Sequence, residues 1–432
     1  MTDRLPQRRR DSLLFRRDYG LIWSAALVSD TGDWLLMIAL PLFAFSATGS
    51  ALGASTVFLA ELIPMLLAGT FLGVLVDRWD HRRTMIVTAV LQGLALLPLL
   101  AASADRMGIV YAVAAVQACL GAVNNPARQA LVPSLVEPHE LGRANALLAV
   151  SDNLARLVGS PLGGLAFAAS GLPGVVVVDA ASFAVTAVLV ALSRRKEATS
   201  GSPAEHPSPK RRLLREWVEG ISTVARSGTL RTIAVITLLG SVAQGVFLVL
   251  FIVYVTRDLD GGDPEVGLLR GVQAIGGVLG GLTVGMLMRR FSPRVLVGGG
   301  YLVFGAVSLL TWNLAPVTTA VWVYAGLFIA MGVPAVATST GEITLVQTAT
   351  PQAALGRVVA AITTLAGAAQ GVGLLVGGVL AETFAVVGIL DGQAALYLVC
   401  GVLAIAFLRA PVSEDPASGP AESAARPTSA PR

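Results

Sequence analysis

Two aspartates interrupt the first long apolar stretch of the chain, in the segment SDTGD at 29–33. Asp30 and Asp33 are three residues apart, so on a helix they lie close to one face. If the stretch crosses a membrane, Asp33 is near mid-span, where an ionised side chain costs about 2.5–3.5 kcal/mol on insertion scales. Such an acid is suited to bind and release a proton. The structural alternative is that the pair bonds neighbouring helices or caps a break near Gly32.

Three more charged residues lie inside apolar stretches. Glu61 is expected in the outer half of a second helix, either as a cation-binding acid or as a solvated one. Asp152 and Arg156 are four apart, which places them on one helix face within reach of an ion pair. We expect them to neutralise each other, and a transport role would require that pair to break. The acids near the ends of runs, where exposure is expected, are Asp179, Glu342, Glu382 and Asp391.

The composition indicates a membrane protein, since 54% of the 432 residues are hydrophobic and only 13% are charged. Soluble domains have about 25% charged residues. Apolar runs long enough to span a bilayer lie at about 18–46, 52–76, 84–104, 108–133, 143–170, 174–193, 230–256, 265–288, 294–313, 317–341, 355–384 and 388–409. The sequence therefore predicts an all-α polytopic protein with twelve transmembrane helices.

The two halves of the chain resemble each other. The segment GVLVDRWDHR at 73–82 has a counterpart, GMLMRRFSPR, at 285–294, and LGR recurs at 141–143 and 355–357. Gly159, Gly163 and Gly164 likewise recur as Gly373, Gly377 and Gly378. Repeats of this kind predict two pseudo-symmetric six-helix bundles around a central cavity.

Polar stretches divide the chain into five parts. We expect a cytoplasmic tail at 1–17, a first bundle at 18–193 and a second bundle at 230–409. A cytoplasmic linker with a basic amphipathic segment joins the bundles at 194–229, and the composition of 410–432 is typical of a disordered cytoplasmic tail.

Charge is concentrated in the connection after the second run, GVLVDRWDHRRTMI at 73–86. The arginines there can act as a topology signal, but such a signal needs neither a glycine nor an acid. An acid at a helix end beside arginines can form a latch between bundles. Arg128 either extends to the membrane surface or completes a latch with Asp77. The candidate gate residues are Gly73, Asp77, Arg78, Arg82, Arg83 and Arg128.

This connection resembles the cytoplasmic signature of the major facilitator superfamily, and RWDHRR is similar to the variant in its bacterial branch of drug, macrolide and siderophore exporters. Asp80 stands where the signature often has glycine. Further similarity lies in SDTGDWLLMIALPLF, TGSALGAS and LGRANALLAVSDNLARLVGSPLGG. The resemblance implies secondary active transport by alternating access, with proton-coupled efflux of amphipathic drugs or secreted metabolites.

One antiporter signature is matched with a shift. That signature has Gly-Pro-x-x-Gly-Gly in the fifth helix; Gly159, Gly163 and Gly164 fit it, but Ser160 takes the proline position and Pro161 follows. A proline moved by one residue changes where a helix bends. The fourth run also has Gln117 near the place of an arginine that other proton-coupled branches carry.

Other chemistry is not indicated. We find no phosphate-binding glycine loop with lysine, no Ser/His/Asp set and no metal-ligand spacing, so we expect no enzyme activity, cofactor or metal. The arginines are assigned to topology rather than to nucleic acid. The expected partners are a small-molecule substrate, protons and the lipid bilayer, for a monomer in the cell membrane. The alternatives are an uncoupled facilitator, a lipid or sugar transporter of the same fold, and a non-transporting membrane scaffold.

Topology yields the first prediction. With twelve helices and an inside start, 26 of the 31 Lys and Arg residues fall on the cytoplasmic side and only Arg106 and Arg257 lie outside. Both termini are then cytoplasmic. A cysteine at Ser202 should react with an impermeant thiol reagent only from inside, and one at Gly261 only from outside. Labelling of position 202 from outside would contradict this orientation.

Overall fold

The computed structural model describes residues 13–76, 79–194 and 209–408. Their regular structure is entirely helical. The α-helices are α1 (Arg17–Thr48), α2 (Ala51–Val76), α3 (His81–Leu96), α4 (Met107–Leu131), α5 (Leu141–Leu192), α6 (Pro209–Arg226), α7 (Gly228–Arg257), α8 (Asp263–Arg290), α9 (Pro293–Trp312), α10 (Val321–Ala330), α11 (Gly332–Ala349), α12 (Leu355–Leu380) and α13 (Val386–Phe407).

Twelve of these helical passages cross the membrane, as predicted. Within the described ranges, ten stretches are long and apolar enough to do so. One of them, Pro138–Leu192, has 55 residues and forms two crossings, while α2 adds another because the helix continues beyond its apolar part, Ala51–Leu67, to Val76. Helices α10 and α11 together make a single crossing, and α6 belongs to the polar linker.

Helix α5 turns back on itself at Gly171. The φ of Gly171 is 63°, in the left-handed region that glycine tolerates and other residues avoid. On the first arm Gly159 touches Thr31 of α1, and on the second arm Ser182 touches Gly32. Since both arms meet α1 at the same level, they run antiparallel. The predicted division between the runs 143–170 and 174–193 is thus confirmed.

The tenth crossing is longer than predicted. The expected run, 317–341, stopped before Glu342, but α11 continues to Ala349. Glu342 lies inside that helix, where it accepts hydrogen bonds from the Tyr301 hydroxyl at 2.8 Å and from Thr237 Oγ1 at 3.3 Å. Because these donors satisfy the hydrogen bonding of the carboxyl group, Glu342 can lie inside the helix rather than at its end.

Each half repeats the same polar contact. In the first half Arg82, at the start of α3, donates to the carbonyl oxygens of Val190 and Ala191 at the end of α5. In the second half Arg294, at the start of α9, donates to the carbonyl oxygen of Ile405 near the end of α13. The third and sixth crossings of each bundle are therefore joined in equivalent ways.

The halves meet closely on one side of the molecule, where α1 ends and α2 begins; we call it the Gly49 side. There Arg257 donates to the Gly49 carbonyl oxygen at 3.0 Å, and Ser50 Oγ donates to Glu382 at 2.6 Å. Deeper in the molecule, Ser55 Oγ of α2 donates to the carbonyl oxygen of Leu374 in α12 at 2.6 Å. These bonds join the first bundle to the second.

Helices α5 and α8 make the second close contact between halves. Gly267 lies against the Ser160 carbonyl oxygen and the backbone of Gly164, with no room for a side chain. Farther along α8, Gly281 and Gly285 face open space. The bundles therefore touch on the Gly49 side and separate toward the opposite side, where α3 begins at Asp80; we call that the Asp80 side. Small residues allow this approach because packing, rather than hydrophobicity, joins helices in a bilayer.

This contact can be tested with two equivalent substitutions on one helix. Gly267→Ala would press a methyl group into the backbone of α5, and overpacking of this kind costs about 1–3 kcal/mol. Gly281→Ala, in open space on the same helix, should leave stability unchanged or raise it slightly because alanine favours helices. We expect only Gly267→Ala to lower the Tm of the purified protein in detergent. Equal Tm values for both variants would show that the contact is looser than described.

Candidate functional site

A cavity of about 400 Å³ is lined mainly by the second half, by α7–α11 and α13, and by α5 of the first half. Its wall combines amide side chains with aromatic rings. The amides are Asn153, Gln244, Gln273 and Gln393, and the rings are Phe247, Phe304, Trp312 and Phe328. Arg156 adds a positive charge to the wall. Such a surface offers apolar contact area with a few orienting polar groups, as small-molecule sites do.

The two aspartates of α1 have different surroundings. Asp30 accepts two hydrogen bonds from Arg128 Nη1 of α4, at 2.8 and 2.9 Å. Asp33 is exposed and forms no ion pair within the described ranges. Helix α1 packs mainly on α5 and α2 rather than on α4, so the Arg128 side chain links two helices that are not closely packed.

Asp33 belongs to a wider group of acids. Its carboxyl group lies within electrostatic range of Asp30, Glu61 and Asp179, with Arg128 as the one cation of the set. These charges attract cations and protons to the first half of the protein. Within the described ranges, no three His, Cys, Asp or Glu side chains are grouped so as to hold a metal ion.

Asp179 is completely buried, so its expected exposure is wrong. Its side chain lies on the second arm of α5 at 0% exposure, accepts a hydrogen bond from Ser182 Oγ at 3.1 Å and has one oxygen without a partner. The cause is Gly32, which has no side chain and lets Asp179 and Ser182 approach the α1 backbone. Glu61, on α2, is partly buried and forms no hydrogen bond or ion pair with described residues.

Asp152 and Arg156 do not form the expected ion pair. Trp34 of α1 contacts both: its indole N–H donates to Asp152 at 3.4 Å, and Arg156 lies over its ring at 5.0 Å. Arg156 instead donates to Gln273 of α8 at 2.5 Å. Helical spacing put the two charges on one face, but it said nothing about the ring between them.

Arg270 is a candidate functional residue that the sequence analysis did not identify. It is only 6% exposed, lies over the ring of Phe247 at 5.5 Å and donates to Gln273 Oε1 at 3.4 Å. Arg156 uses the same oxygen, so the two guanidinium groups are neighbours. The only signal in the sequence was an arginine inside an apolar run. We call Arg156 and Arg270 the arginine pair.

The glycine-rich segment of α5 packs against two helices. Gly159 and Gly163 lie against Thr31 and Leu35 of α1. Pro161 and Gly164 face the other way, toward α8, where Pro161 Cδ lies 2.7 Å from the position that a Gly271 side chain would take. The shifted proline thus fills space opposite a glycine. This segment fixes α5 between α1, which carries the acids, and α8, which carries Arg270.

The predicted gate residues lie partly outside the described residues. Asp77 and Arg78 fall there, and for Gly73 only its place in α2 is described. Arg82 bonds within its own half to the end of α5. Arg83 is exposed, and its Nε lies 3.8 Å from Asp80 Oδ2 in an ion pair.

Asp80 begins α3. Its carboxylate accepts the backbone N–H of Arg83 at 2.9 Å, which caps the first turn of the helix. This explains an acid where the family signature often has glycine. Arg128, which was expected either at the surface or at the Asp77 latch, is paired with Asp30 instead.

Comparison with known proteins places the chain in a family. Residues 13–430 match the model of the transmembrane secretion effector family. The chain is 31% identical over 375 residues to the multidrug efflux pump Tap of Mycolicibacterium fortuitum, covering 84% of this chain and 88% of Tap. It is 26% identical over 408 residues to the MFS-type transporter YfiS of Bacillus subtilis strain 168, covering 91% of this chain and 92% of YfiS.

Solved structures share the fold. A bacterial homologue of the iron transporter ferroportin superposes in its inward-facing state with a TM-score of 0.70 at 20% identity, covering 91% of this chain and 98% of that one. Its outward-facing state superposes with a TM-score of 0.58 at 19% identity, covering 90% of this chain and 98% of that one. With its two six-helix bundles, its central cavity and these relatives, the chain belongs to the transmembrane secretion effector family and is a membrane transporter of the major facilitator superfamily.

Proposed function

We propose that this transporter exports amphipathic small molecules in exchange for protons, by alternating access. The observation that carries the proposal is the pair of carboxyl groups on α1, of which Asp30 is neutralised by Arg128 while Asp33 has no ion-pair partner within the described residues. An ionised carboxylate near mid-membrane is stable only with water, a cation or a counter-charge beside it. Asp33 is therefore suited to exchange a proton for a cationic substrate group.

The proposed orientation of the protein in the membrane is based on the distribution of its positive charges. The Asp80 side is the cytoplasmic side, because the connections there contain most of the arginines. The protein then lies in the cell membrane with both termini in the cytoplasm, acting as a monomer among lipids. The separation of the halves toward the Asp80 side makes this an inward-facing arrangement, in which Asp33 exchanges with cytoplasmic water.

The cycle uses the two sides in turn. In the inward-facing arrangement Asp33 releases its proton to the cytoplasm and the cavity binds substrate. The α5–α8 and α2–α12 contacts then open on the Gly49 side while the Asp80 side closes. Asp77, Arg78, Arg82 and Arg83 with Gly73 would hold that closure. A proton entering from outside neutralises Asp33 and releases the substrate.

The substrate class follows from the cavity and the relatives. Aromatic rings such as Phe247 and Trp312 give broad apolar contact, and the amides orient polar groups without demanding one shape. Tap, which shares 31% identity over 375 residues, is a multidrug efflux pump. We therefore expect several amphipathic compounds, rather than one metabolite, to be carried.

Asp33→Asn tests the coupling. Asparagine has nearly the same shape but cannot take up a proton, so the variant should bind neutral compounds and fail to couple transport to the pH gradient. In inside-out vesicles with an acidic interior, addition of cationic drugs, macrolides or siderophores should release protons through the wild type and not through the variant. Asp105→Asn, which removes an exposed acid outside the cavity, is the matched control and should behave as wild type. If Asp33→Asn transports at the wild-type rate with unchanged pH dependence, the proton site is elsewhere or transport is not proton-coupled.

The Asp30–Arg128 pair gives a separate test. Arg128→Gln leaves Asp30 as an unpaired acid inside the membrane, whereas Arg128→Gln with Asp30→Asn removes both charges. Breaking a buried pair by removing one partner costs about 3–5 kcal/mol, while removing both is nearly neutral. We expect the single variant to lower the Tm in detergent and the double variant to restore most of it. Equal losses in both would show that the two residues act independently.

A further inference from the structure

The arginine pair lies inside the protein without a carboxylate beside it, although buried cations in membrane proteins usually have one. Arg270 is 6% exposed, yet neither it nor Arg156 has an acidic oxygen within 4.0 Å among the described residues. Cations buried without a counter-charge are costly, so proteins usually pair them. Asp152 attracts Arg156 from a longer distance, but one distant acid leaves the two arginines with a net positive charge.

Most of the hydrogen-bonding capacity of the pair is unused. Each guanidinium has several N–H donors in a fixed plane. Among described residues, the only acceptor that either side chain reaches is Gln273 Oε1, at 2.5 Å from Arg156 and 3.4 Å from Arg270. The buried Nε of Arg156 and Nε2 of Gln273 have no hydrogen-bond partner in the described part of the chain. Donors on both arginines and on the amide are thus left for an acceptor that the chain does not provide.

Aromatic contacts do not use these donors. Trp34 covers the face of Arg156 and Phe247 covers the face of Arg270. A cation over a ring is attracted through its face, whereas hydrogen bonds leave a guanidinium in its own plane. The rings therefore hold the pair in place and leave its edges available.

The first half has an acid at the position equivalent to Gln273. Glu61 precedes Gln273 by 212 residues, the same offset that separates GVLVDRWDHR from GMLMRRFSPR. A carboxylate at the Gln273 position would bond both arginines directly. The second half has the neutral amide instead, so the pair keeps its charge.

The pair also adjoins the cavity. Arg156 and Gln273 line it, and Phe247, which covers Arg270, continues the same wall toward Trp312 and Phe328. An anionic group bonded to the arginines would leave the rest of its molecule against these rings. Charge-assisted, bidentate bonds are the way in which arginine recognises carboxylates.

We propose that the arginine pair with Gln273 is a binding site for the oxyanion of an amphipathic substrate, with a carboxylate as the best-fitting group. The rings of Phe247, Trp312 and Phe328 contact the apolar body of that substrate. This inference rests on the proposed function only in taking the cavity as the place where the transported molecule binds. It assigns to the substrate a negative group, in addition to any cationic group that the α1 acids attract.

The test compares two ligands that differ in one charge. N-dansyl-phenylalanine has a carboxylate, and N-dansyl-phenylalanine amide has the same rings without it. Energy transfer from the protein's tryptophans to the dansyl group, measured at equilibrium in detergent without a proton gradient, reports binding. We expect the wild type to bind the carboxylate about tenfold more tightly than the amide, since a charge-assisted bond contributes that much.

Two variants remove the site in different ways. Arg270→Gln should abolish the preference for the carboxylate. Gln273→Glu supplies an internal carboxylate, so it should also abolish that preference while raising the Tm, which shows that the variant is folded. Arg231→Gln, which removes an exposed arginine near the start of α7, is the matched control and should keep the preference.

Three results would overturn the proposal: equal binding of both ligands by the wild type, no binding of the carboxylate, or a preference that survives in both Arg270→Gln and Gln273→Glu. Because no gradient is present, the result is independent of proton coupling. Asp33→Asn should keep the preference even when it no longer couples transport, so failure of the coupling proposal and failure of this one are distinguishable.

Discussion

The free-energy cost of an ionised side chain inside a bilayer determines how this protein is built. A charge there needs water, an opposite charge or an aromatic face. The first bundle meets the requirement by joining Asp30 of α1 to Arg128 of α4 in an ion pair. The second bundle meets it by covering Arg270 with Phe247. The first solution leaves Asp33 without an ion-pair partner among the described residues, and the second leaves Arg156, beside Arg270, in the wall of the cavity.

The small-residue contacts place these charges relative to one another. The first arm of α5 is pressed on one face against α1 and on the other against α8, through Gly159 and Gly164. The acids of α1 and Arg270 of α8 therefore lie on helices that pack on different faces of α5, while Arg156 of α5 itself lies over the ring of Trp34 of α1. A movement of α5 against α8 would change the surroundings of the arginine pair while leaving Gly159 on α1. Coupling between the halves thus requires no contact between the two charged groups themselves.

Sequence reasoning was sufficient where the signal was local. Composition and apolar runs gave the twelve crossings, and the Gly171-Leu172-Pro173 segment marked the turn inside α5. The repeat predicted two bundles, and the structure shows it in the equivalent contacts of Arg82 and Arg294. Local patterns succeed here because the length of an apolar run and the residues that end a helix can be read from one continuous stretch of sequence.

The same reasoning failed wherever a distant residue decided the outcome. Arg128 and Asp30 are 98 positions apart, so no spacing rule could pair them. Asp152 and Arg156 had the spacing for an ion pair, but Trp34, from another helix, donates a hydrogen bond to Asp152 and packs its ring against Arg156. Asp179 was expected at the surface because it lies near the end of a run. Its burial depends on the missing side chain of a glycine in α1.

The contact of Arg82 with the end of α5 also bears on how the protein is made. Arg82 leaves the ribosome 108 residues before Val190, whose carbonyl oxygen it binds. Until the second arm of α5 has been inserted, the start of α3 has no such attachment. The same order holds in the second half, where Arg294 precedes Ile405 by 111 residues. In each bundle, therefore, this attachment of the third crossing can form only after the last helix has been made, so the first five helices of a half must hold their places without it.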